Sequence, residues 1–254
     1  MSKNTIHIII QARMGATRLP GKILMSFAGD FTFLEWIGER AKSSQEAGKV
    51  IVATTDSFKD DIVEEFCKKK GYDYFRGSES DVLGRYHGAA KQFGSEIIVR
   101  VMADNPLIDI KEMDRAIEIL IQEHLDYVST HPAGLPVGNG TEVFTRRAFE
   151  RVFRGAKDPY EREHVTPYFY RHSELFTQKN ISPLIPHPFA SSVRLTLDTP
   201  EDANFLCALA SGMGFSDPLQ QPSTNEILSY LESHPELVMI NKSVVQKTFP
   251  GLTP

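Results

Sequence analysis

The sequence predicts an α/β fold with a mixed, mainly parallel central sheet and helices on both faces. The first observation is that short β-branched runs alternate with amphipathic segments of about 10–15 residues, a pattern typical of βαβ units. The second is a composition of 41% hydrophobic and 24% charged residues, which fits a globular protein long enough to bury a core. Such sheets bind ligands beyond the carboxyl ends of their strands, so we expect the functional loops there.

The predicted elements follow from these patterns in chain order. The predicted strands cover residues 6–10, 50–54, 72–75, 97–101, 126–130, 141–144 and 195–197. The predicted helices cover residues 33–47, 60–70, 81–93, 111–123, 160–172 and 225–233, with another that begins after Thr199. Thr199 is a suitable N-cap, because a proline follows it and acids occupy the next positions. Residues 131–140 are rich in Pro and Gly and are predicted to form an irregular loop.

We expect a single domain over residues 1–254, with residues 215–254 as a helical and irregular C-terminal extension. No repeat, low-complexity tract or linker interrupts the chain. The extension could support a homodimer, a possibility that the sequence leaves open.

Charge and cysteine content exclude several classes of protein. The net charge of −5 argues against a general nucleic-acid binder, which usually carries a basic stripe. Cys67 and Cys207 are too few for a disulfide framework or a zinc cluster, which favours free thiols in a reducing compartment. No apolar run approaches the roughly 20 residues of a membrane span, and the one near the start is too short for a signal peptide. We therefore expect a cytoplasmic protein that binds neither membranes nor nucleic acids.

A basic, glycine-containing loop over residues 11–22 follows the first predicted strand. Glycine lets backbone N–H groups approach phosphate oxygens, the fork of Arg13 can chelate two oxygens, and Lys22 offers a compact charge. The P-loop pattern is excluded, because Gly15 and Gly21 are one residue too far apart and no Ser or Thr follows the lysine. The loop therefore indicates a phosphate site, with a solvated basic loop as the alternative.

Two aspartates at predicted strand ends suggest a metal site. Asp104 follows the strand at 97–101, and Asp198 ends the strand at 195–197. Mg²⁺ takes few protein ligands and keeps water and phosphate oxygens for the rest, so Asp104 and Asp198 suffice for a candidate site. Asp109 is better placed as a helix N-cap, and a turn into the following helix is the alternative role for Asp198.

Two further segments could bind the base and an acceptor. Arg76 and Ser78 lie where a predicted strand leads into a helix, and helix N-terminal N–H groups and hydroxyls can read a base edge. Capping of that helix by Ser80 or Asp81 is the compatible alternative. Arg162 and His164 could pair with an acceptor carboxylate, although acids on both sides of Arg162 could equally make a surface ion-pair network.

The amino-acid sequences of these segments resemble the motifs of one protein family. The run I-I-I-Q-A-R-M-G-A-T-R-L-P-G-K-I-L over residues 8–24 is similar to the opening of the cytidylyltransferases that activate acidic sugars. The match is closest to the branch named for a spore coat polysaccharide biosynthesis protein. R-V-M-A-D-N-P-L-I-D over residues 100–109 and L-D-T-P-E-D over residues 197–202 resemble the family's metal motif and a later element. Residues 76–86, 138–142 and 160–168 resemble its base-binding and acceptor segments.

The resemblance implies a GT-A-like nucleotide-diphospho-sugar transferase fold, CTP as donor and magnesium held by Asp104 and Asp198. The implied nucleotide-binding residues are Gln11, Ala12, Arg13, Gly15, Lys22, Arg76, Ser78 and Asp104. The implied acceptor residues are Glu142, Arg162 and His164. Of these residues, Arg13, Lys22 and Asp104 are the expected catalytic groups.

The predicted function is magnesium-dependent transfer of CMP from CTP to a nonulosonic or related acidic keto-sugar, with release of pyrophosphate, for surface polysaccharide synthesis. One alternative is a nucleotidyltransferase for a phosphorylated sugar or polyol. Another is a GT-A glycosyltransferase that uses a nucleotide sugar, although Asp104-Asn105-Pro106 lacks the second acid of the usual metal motif. A non-catalytic assembly or regulatory protein of the same fold is the third alternative.

Overall fold

A seven-stranded sheet forms the centre of the computed structural model, which describes residues 3–130 and 134–245. The strands are β1 (Ile6–Gln11), β2 (Ser26–Ala28), β3 (Phe31–Thr32), β4 (Lys49–Thr55), β5 (Asp73–Gly77), β6 (Ile97–Met102), β7 (Tyr127–Ser129), β8 (Glu142–Thr145) and β9 (Gln178–Asn180). The sheet has the order β5-β4-β1-β6-β8-β7-β9, and β2 and β3 form a separate antiparallel pair.

The sheet is mixed and mainly parallel. β1 lies between β4 and β6 and is parallel to both, with Ile8 opposite Val50 on one side and Val99 on the other. β5 is parallel to β4, and β9 is parallel to β7. β8 alone runs against its two neighbours within this sheet of described residues. The predicted fold class is therefore confirmed.

Helices connect and cover the strands. They are α1 (Phe33–Lys42), α2 (Asp61–Lys70), α3 (Val82–Phe93), α4 (Ile110–Gln122), α5 (Arg146–Gly155), α6 (Pro159–His164), α7 (Pro167–Arg171), α8 (Pro200–Gly212), α9 (Thr224–Ser233) and α10 (Pro235–Val238). The predicted N-cap Thr199 is confirmed, because its side chain accepts from the Asp202 amide in a capping box. No helix in the described part of the chain is long and apolar enough to cross a membrane.

Three predicted elements are wrong in part. The helix predicted over residues 33–47 ends at Lys42. The helix predicted over residues 160–172 is two short helices, because Val165 between them has a positive φ of 73° and Pro167 has no N–H to continue the ladder. The strand predicted at 195–197 joins no sheet; its apolar side chains pack instead in a separate core cluster, and the Leu197 amide donates to the Asp104 carbonyl.

Several elements carry no clear sequence signal. Helix α5 and strands β2, β3 and β9 were not predicted. The loop predicted over residues 131–140 is irregular in its described part, residues 134–140, and residues 131–133 lie outside the described residues. Residues 246–254 of the predicted extension also lie outside them.

The core lies on both faces of the sheet. Ile8 and Ile10 belong to one buried cluster and Ile9 to another, as expected for a strand whose side chains alternate between two covered faces. A third cluster, around the fully buried Trp36, packs α1 against α8 and α9. This third cluster brings the C-terminal part of the chain back beside the N-terminal loop.

Candidate functional site

The parallel strands β1, β4 and β6 end at one edge of the sheet, where the candidate residues collect. The ladder continues one residue past β1, since the Ala12 amide donates to the Ala53 carbonyl and the Ala103 amide to the Gln11 carbonyl, at 3.1 and 3.0 Å. The loop over residues 12–22 and Asp104 therefore leave the sheet side by side. This is the edge at which parallel sheets bind ligands.

The N-terminal loop folds on itself. The amides of Ala16 and Gly21 both donate to the Met14 carbonyl, at 2.9 and 3.0 Å. Gly21 has a φ of +75°, a conformation that a residue with a Cβ adopts only with strain. The turn at Gly21 directs the chain into Lys22 and a short 3₁₀ helix.

Asp60 anchors this loop, a role that sequence reasoning missed. It is 2% exposed, and its Oδ1 accepts from the Met14 amide at 2.6 Å. Its Oδ2 accepts from the hydroxyl of Thr55, at the end of β4. Asp60 lies between β4 and α2, and an acid after a parallel strand can mark a functional loop. The sequence predicts only a helix start at Asp60, so its contact with the loop is not expected.

The outer part of the loop lies over the segment that follows β5. Arg13 is partly exposed, and its Nη1 lies 3.7 Å from the Glu79 carboxylate. A Cβ at Gly15 would lie 3.0 Å from the same carboxylate, which is too tight for any larger side chain without a shift. The structure therefore places the predicted phosphate loop and the predicted base segment next to each other.

Lys22 lies between the two predicted metal ligands. Its side chain is almost fully buried, and its Nζ is 3.0 Å from Asp104 Oδ2 and 3.1 Å from Asp198 Oδ1. It also donates to the Leu197 carbonyl. Asp104 and Asp198 are 94 positions apart in sequence, yet both carboxylates contact this ammonium group. Their role as metal ligands stays a prediction.

The second oxygen of each aspartate differs in its surroundings. Asp198 Oδ2 forms salt bridges with the guanidinium groups of Arg18, at 3.0 Å, and Arg194, at 2.6 Å. Burial acts to raise the pKa of the Asp198 carboxyl, but the nearby cations, Lys22 first, hold this pKa below its ordinary value of 3.8. Asp104 Oδ1 is buried and accepts from no donor in the described part of the chain. An unpaired buried oxygen beside a second carboxylate fits a divalent cation that prefers oxygen ligands.

The predicted base residues have distinct surroundings. All three guanidinium nitrogens of Arg76 are engaged within the protein: Nε donates to the Thr55 carbonyl at 2.9 Å, Nη2 to the Ser57 carbonyl at 2.8 Å, and Nη1 pairs with Glu64 at 2.5 Å. Arg76 thus ties the end of β5 to the loop after β4. Ser78 is exposed, and its hydroxyl accepts from the backbone amide at the start of α3.

Glu142 lies in a buried cluster on the sheet. It pairs with Arg100 of β6 at 2.5 Å and accepts from the Tyr127 hydroxyl at 2.6 Å. The Thr166 side chain also hydrogen-bonds this carboxylate. Burial acts to raise the pKa of the Glu142 carboxyl, but Arg100 and the hydroxyl donors outweigh it and lower the pKa. Glu142 is therefore an anion held by β6, β7 and the α6–α7 junction.

Arg162 and His164 share α6 but face different partners. Arg162 forms a two-pronged pair with Asp81, the N-cap of α3, so it joins the predicted acceptor segment to the predicted base segment. His164 is half-buried beside Tyr160, with ring centroids 4.4 Å apart. Burial lowers the pKa of His164, which favours the neutral imidazole at pH 7.

A parallel-sheet edge that carries a basic glycine-containing loop and two converging carboxylates has the groups that a nucleotidyltransferase needs. The chain belongs to the cytidylyltransferase family, whose model matches residues 7–226. It is 34% identical to the spore coat polysaccharide biosynthesis protein SpsF of Bacillus subtilis, over 92% of this chain and 96% of that protein. It is 27% identical to a 3-deoxy-manno-octulosonate cytidylyltransferase of Francisella philomiragia, over 68% of this chain and 74% of that protein.

A solved structure agrees with these sequence matches. A cytidylyltransferase from Leptospira borgpetersenii superposes with a TM-score of 0.85 at 34% identity, covering 96% of this chain and 99% of that one. The predicted family, fold class and enzyme class are therefore confirmed.

Proposed function

We propose that the protein transfers CMP from CTP to an acidic keto-sugar, with Mg²⁺, and releases pyrophosphate. One observation carries the proposal: Asp104 and Asp198, from distant parts of the chain, both contact Lys22, the last residue of the basic N-terminal loop. A triphosphate needs cations at its phosphate groups, and this edge supplies both a loop of cations and two carboxylates suited to a metal ion.

Asp104 and Asp198 would hold the metal. Asp104 Oδ1 accepts from no donor among the described residues, and the cations around Asp198 lower its pKa and keep this carboxyl group ionised. When bound, Mg²⁺ neutralises charge that develops on the phosphate oxygens during transfer.

The N-terminal loop would bind the triphosphate. The Arg13 side chain is partly exposed and could contact a ligand. Gly15, which has no Cβ, lets the loop backbone lie close to the Glu79 carboxylate. Gln11 and Ala12 sit at the end of β1, where the loop begins. Lys22 pairs with both carboxylates and would add positive charge near the phosphates.

The segment from Arg76 to Asp81 would bind the cytosine. Arg76 acts by fixing the backbone at the end of β5, since its nitrogens are engaged within the protein. Ser78 is exposed and can hydrogen-bond a base edge. The pair between Arg162 and Asp81 holds this segment against α6.

Residues of α6, together with Glu142, would bind the acceptor. The name of the Francisella relative specifies an acidic octulosonate, and that of SpsF specifies polysaccharide synthesis, which together support a carboxylated sugar of surface polysaccharides. His164 can donate a hydrogen bond to such a sugar in its neutral form. Glu142, held by Arg100, and Arg162, held by Asp81, would flank the bound acceptor.

The reaction requires positioning more than a dedicated nucleophile on the protein. The acceptor hydroxyl attacks the α-phosphorus, a new oxygen–phosphorus bond forms, and the bond to the β-phosphate oxygen breaks as pyrophosphate leaves. The proton of the attacking hydroxyl passes to the solvent. Such phosphoryl chemistry depends mainly on orientation and electrostatic stabilisation, which Arg13 and the loop amides would supply.

A pyrophosphate-release screen tests the proposal. Four nucleoside triphosphates are crossed with nonulosonic acids, octulosonic acids and phosphorylated polyols, with Mg²⁺ or with EDTA. We expect release with CTP and one class of acidic keto-sugar, and none with EDTA. Turnover only with a phosphorylated polyol would contradict the acceptor class, and turnover with another triphosphate would contradict the donor.

We further propose that the enzyme acts in the cytoplasm as a homodimer. Cys67 and Cys207 are both free thiols, which fits a reducing compartment. Light scattering of the purified protein measures its mass, and a mass near 28.5 kDa would contradict the dimer.

A further inference from the structure

A buried polar network stands behind the Asp198 carboxylate. Asp202 is fully buried in the first turn of α8. Its Oδ2 accepts from the backbone amides of Asp198 and Thr199, at 2.9 and 3.1 Å. These bonds fix the piece of backbone from which the Asp198 side chain projects.

Arg194 bridges the two aspartates. Its Nη2 lies 2.6 Å from Asp198 Oδ2, and its Nε lies 3.0 Å from Asp202 Oδ1. The guanidinium charge of Arg194 is therefore shared between the carboxylates of Asp198 and Asp202, and Arg194 also orients the Asp198 side chain. The other oxygen of Asp198, Oδ1, contacts Lys22, which also contacts Asp104.

Asn241 completes the network from the C-terminal extension. It is 4% exposed, and its Nδ2 donates to Asp202 Oδ1 at 3.0 Å and to the Arg194 carbonyl at 3.2 Å. Asn241 lies beyond residues 7–226, the part of the chain that the cytidylyltransferase model matches. A buried amide that hydrogen-bonds both Asp202 and the Arg194 backbone gives this extension a contact with the site.

We propose that Asp202, Arg194 and Asn241 are positioning residues that set the orientation and charge of Asp198 as a ligand for the divalent cation. This role rests on the proposed function, in which Asp104 and Asp198 hold that cation. Hydrogen-bonded partners behind a metal ligand typically contribute about 10- to 100-fold in metal affinity. The C-terminal extension thereby acts on the metal site without touching it.

Binding of Mn²⁺ tests the proposal directly. Free Mn²⁺ is measured by electron paramagnetic resonance during titration of the full chain with a non-hydrolysable CTP analogue present. We expect Asn241→Leu, which keeps the side-chain size but removes the donor, to weaken Mn²⁺ binding by about tenfold. The matched control Asn225→Leu removes an amide that donates to the Ile185 carbonyl, and should bind Mn²⁺ as the wild type does.

A second variant and a kinetic measurement separate positioning from folding. Asp202→Asn should weaken Mn²⁺ binding more than Asn241→Leu, with Asp217→Asn, a helix-cap change elsewhere, as its control. Both site variants should need more Mg²⁺ for half-maximal rate, whereas loss of folded protein lowers kcat at an unchanged Mg²⁺ requirement. Wild-type Mn²⁺ affinity in the folded Asn241→Leu and Asp202→Asn variants would overturn the proposal. Failure of the wild type itself to bind Mn²⁺ or release pyrophosphate would instead overturn the proposed function.

Discussion

At the scale of single residues, Asp104 and Asp109 have similar sequence settings but different surroundings. Asp109 caps α4, accepting from the amides of Lys111 and Glu112, so its predicted role as an N-cap is confirmed. Asp104 faces Lys22 with one oxygen and has no donor for the other among the described residues. Only Asp104 is therefore available to a ligand.

We expect Asp104→Asn to reduce pyrophosphate release at least a thousandfold, about 4 kcal/mol of transition-state stabilisation, because the amide is a poor ligand for Mg²⁺. Initial rates with saturating CTP measure the effect. Asp109→Asn is the matched control, since asparagine also caps helices well. A rate for Asp104→Asn within tenfold of the control would refute the assigned role.

Glu142 should make the free energy of unfolding depend on pH, with stability falling as the pH falls. Because its pKa is lowered from the ordinary 4.5 in the folded protein, its stabilising contribution is present above pH 4.5 and is lost as the pH falls through the folded value. We expect Glu142→Gln to lower the free energy of unfolding by about 3–5 kcal/mol at pH 7, since it leaves Arg100 buried without its partner. The difference from wild type should shrink below pH 4.5.

Urea unfolding at pH 7, 5 and 4 measures this difference. Glu123→Gln is the control, because its pair with Lys179 is exposed and contributes about 1 kcal/mol or less. A difference between wild type and Glu142→Gln that stays constant from pH 7 to pH 4 would contradict the lowered pKa.

At the scale of elements, the N-terminal loop depends on one left-handed residue. Gly21→Ala should cost about 1–2 kcal/mol in stability and displace the turn that leads into Lys22. We expect kcat/KM for CTP to fall by about 10- to 100-fold, as misplacement of a binding group usually causes. Gly71→Ala is the matched control, because Gly71 has a φ of +72° at the end of α2 and nothing near its added Cβ. Equal catalytic losses in both variants would show that strain alone causes them.

At the scale of the whole molecule, we propose that the C-terminal extension belongs to the one domain. Leu231 and Phe215 pack in the third core cluster with Trp36, whose indole also donates to Gln221 at 2.9 Å. These contacts join the extension to α1. Separation of the extension from the rest of the protein would therefore expose the third core cluster to water.

Leu231→Ala should lower the free energy of unfolding by about 2–5 kcal/mol, because Leu231 is fully buried. Leu219→Ala is the matched control, since Leu219 is 60% exposed and should change stability by about 0.5 kcal/mol at most. Thermal unfolding followed by circular dichroism measures both, and it should show one transition. A first transition that Leu231→Ala shifts while a second stays unchanged would indicate a separate extension.

The sequence by itself determined the features that depend on near neighbours along the chain. The buried strand at 6–10, the cap at Thr199 and the cap at Asp109 each follow from a few adjacent residues, whose periodicity or hydrogen-bonding groups act locally. The strands that end at one sheet edge also follow, because parallel strands must share a direction.

Only the tertiary structure decided which charged groups meet. Lys22 lies with Asp104 and Asp198, and Arg162 with Asp81, across separations of 81 to 176 residues. No local pattern encodes such pairs, since they depend on how helices and loops pack around the sheet. The segment at 195–197 is predicted as a strand because of its apolar residues, and these residues are buried in the third core cluster without joining the central sheet.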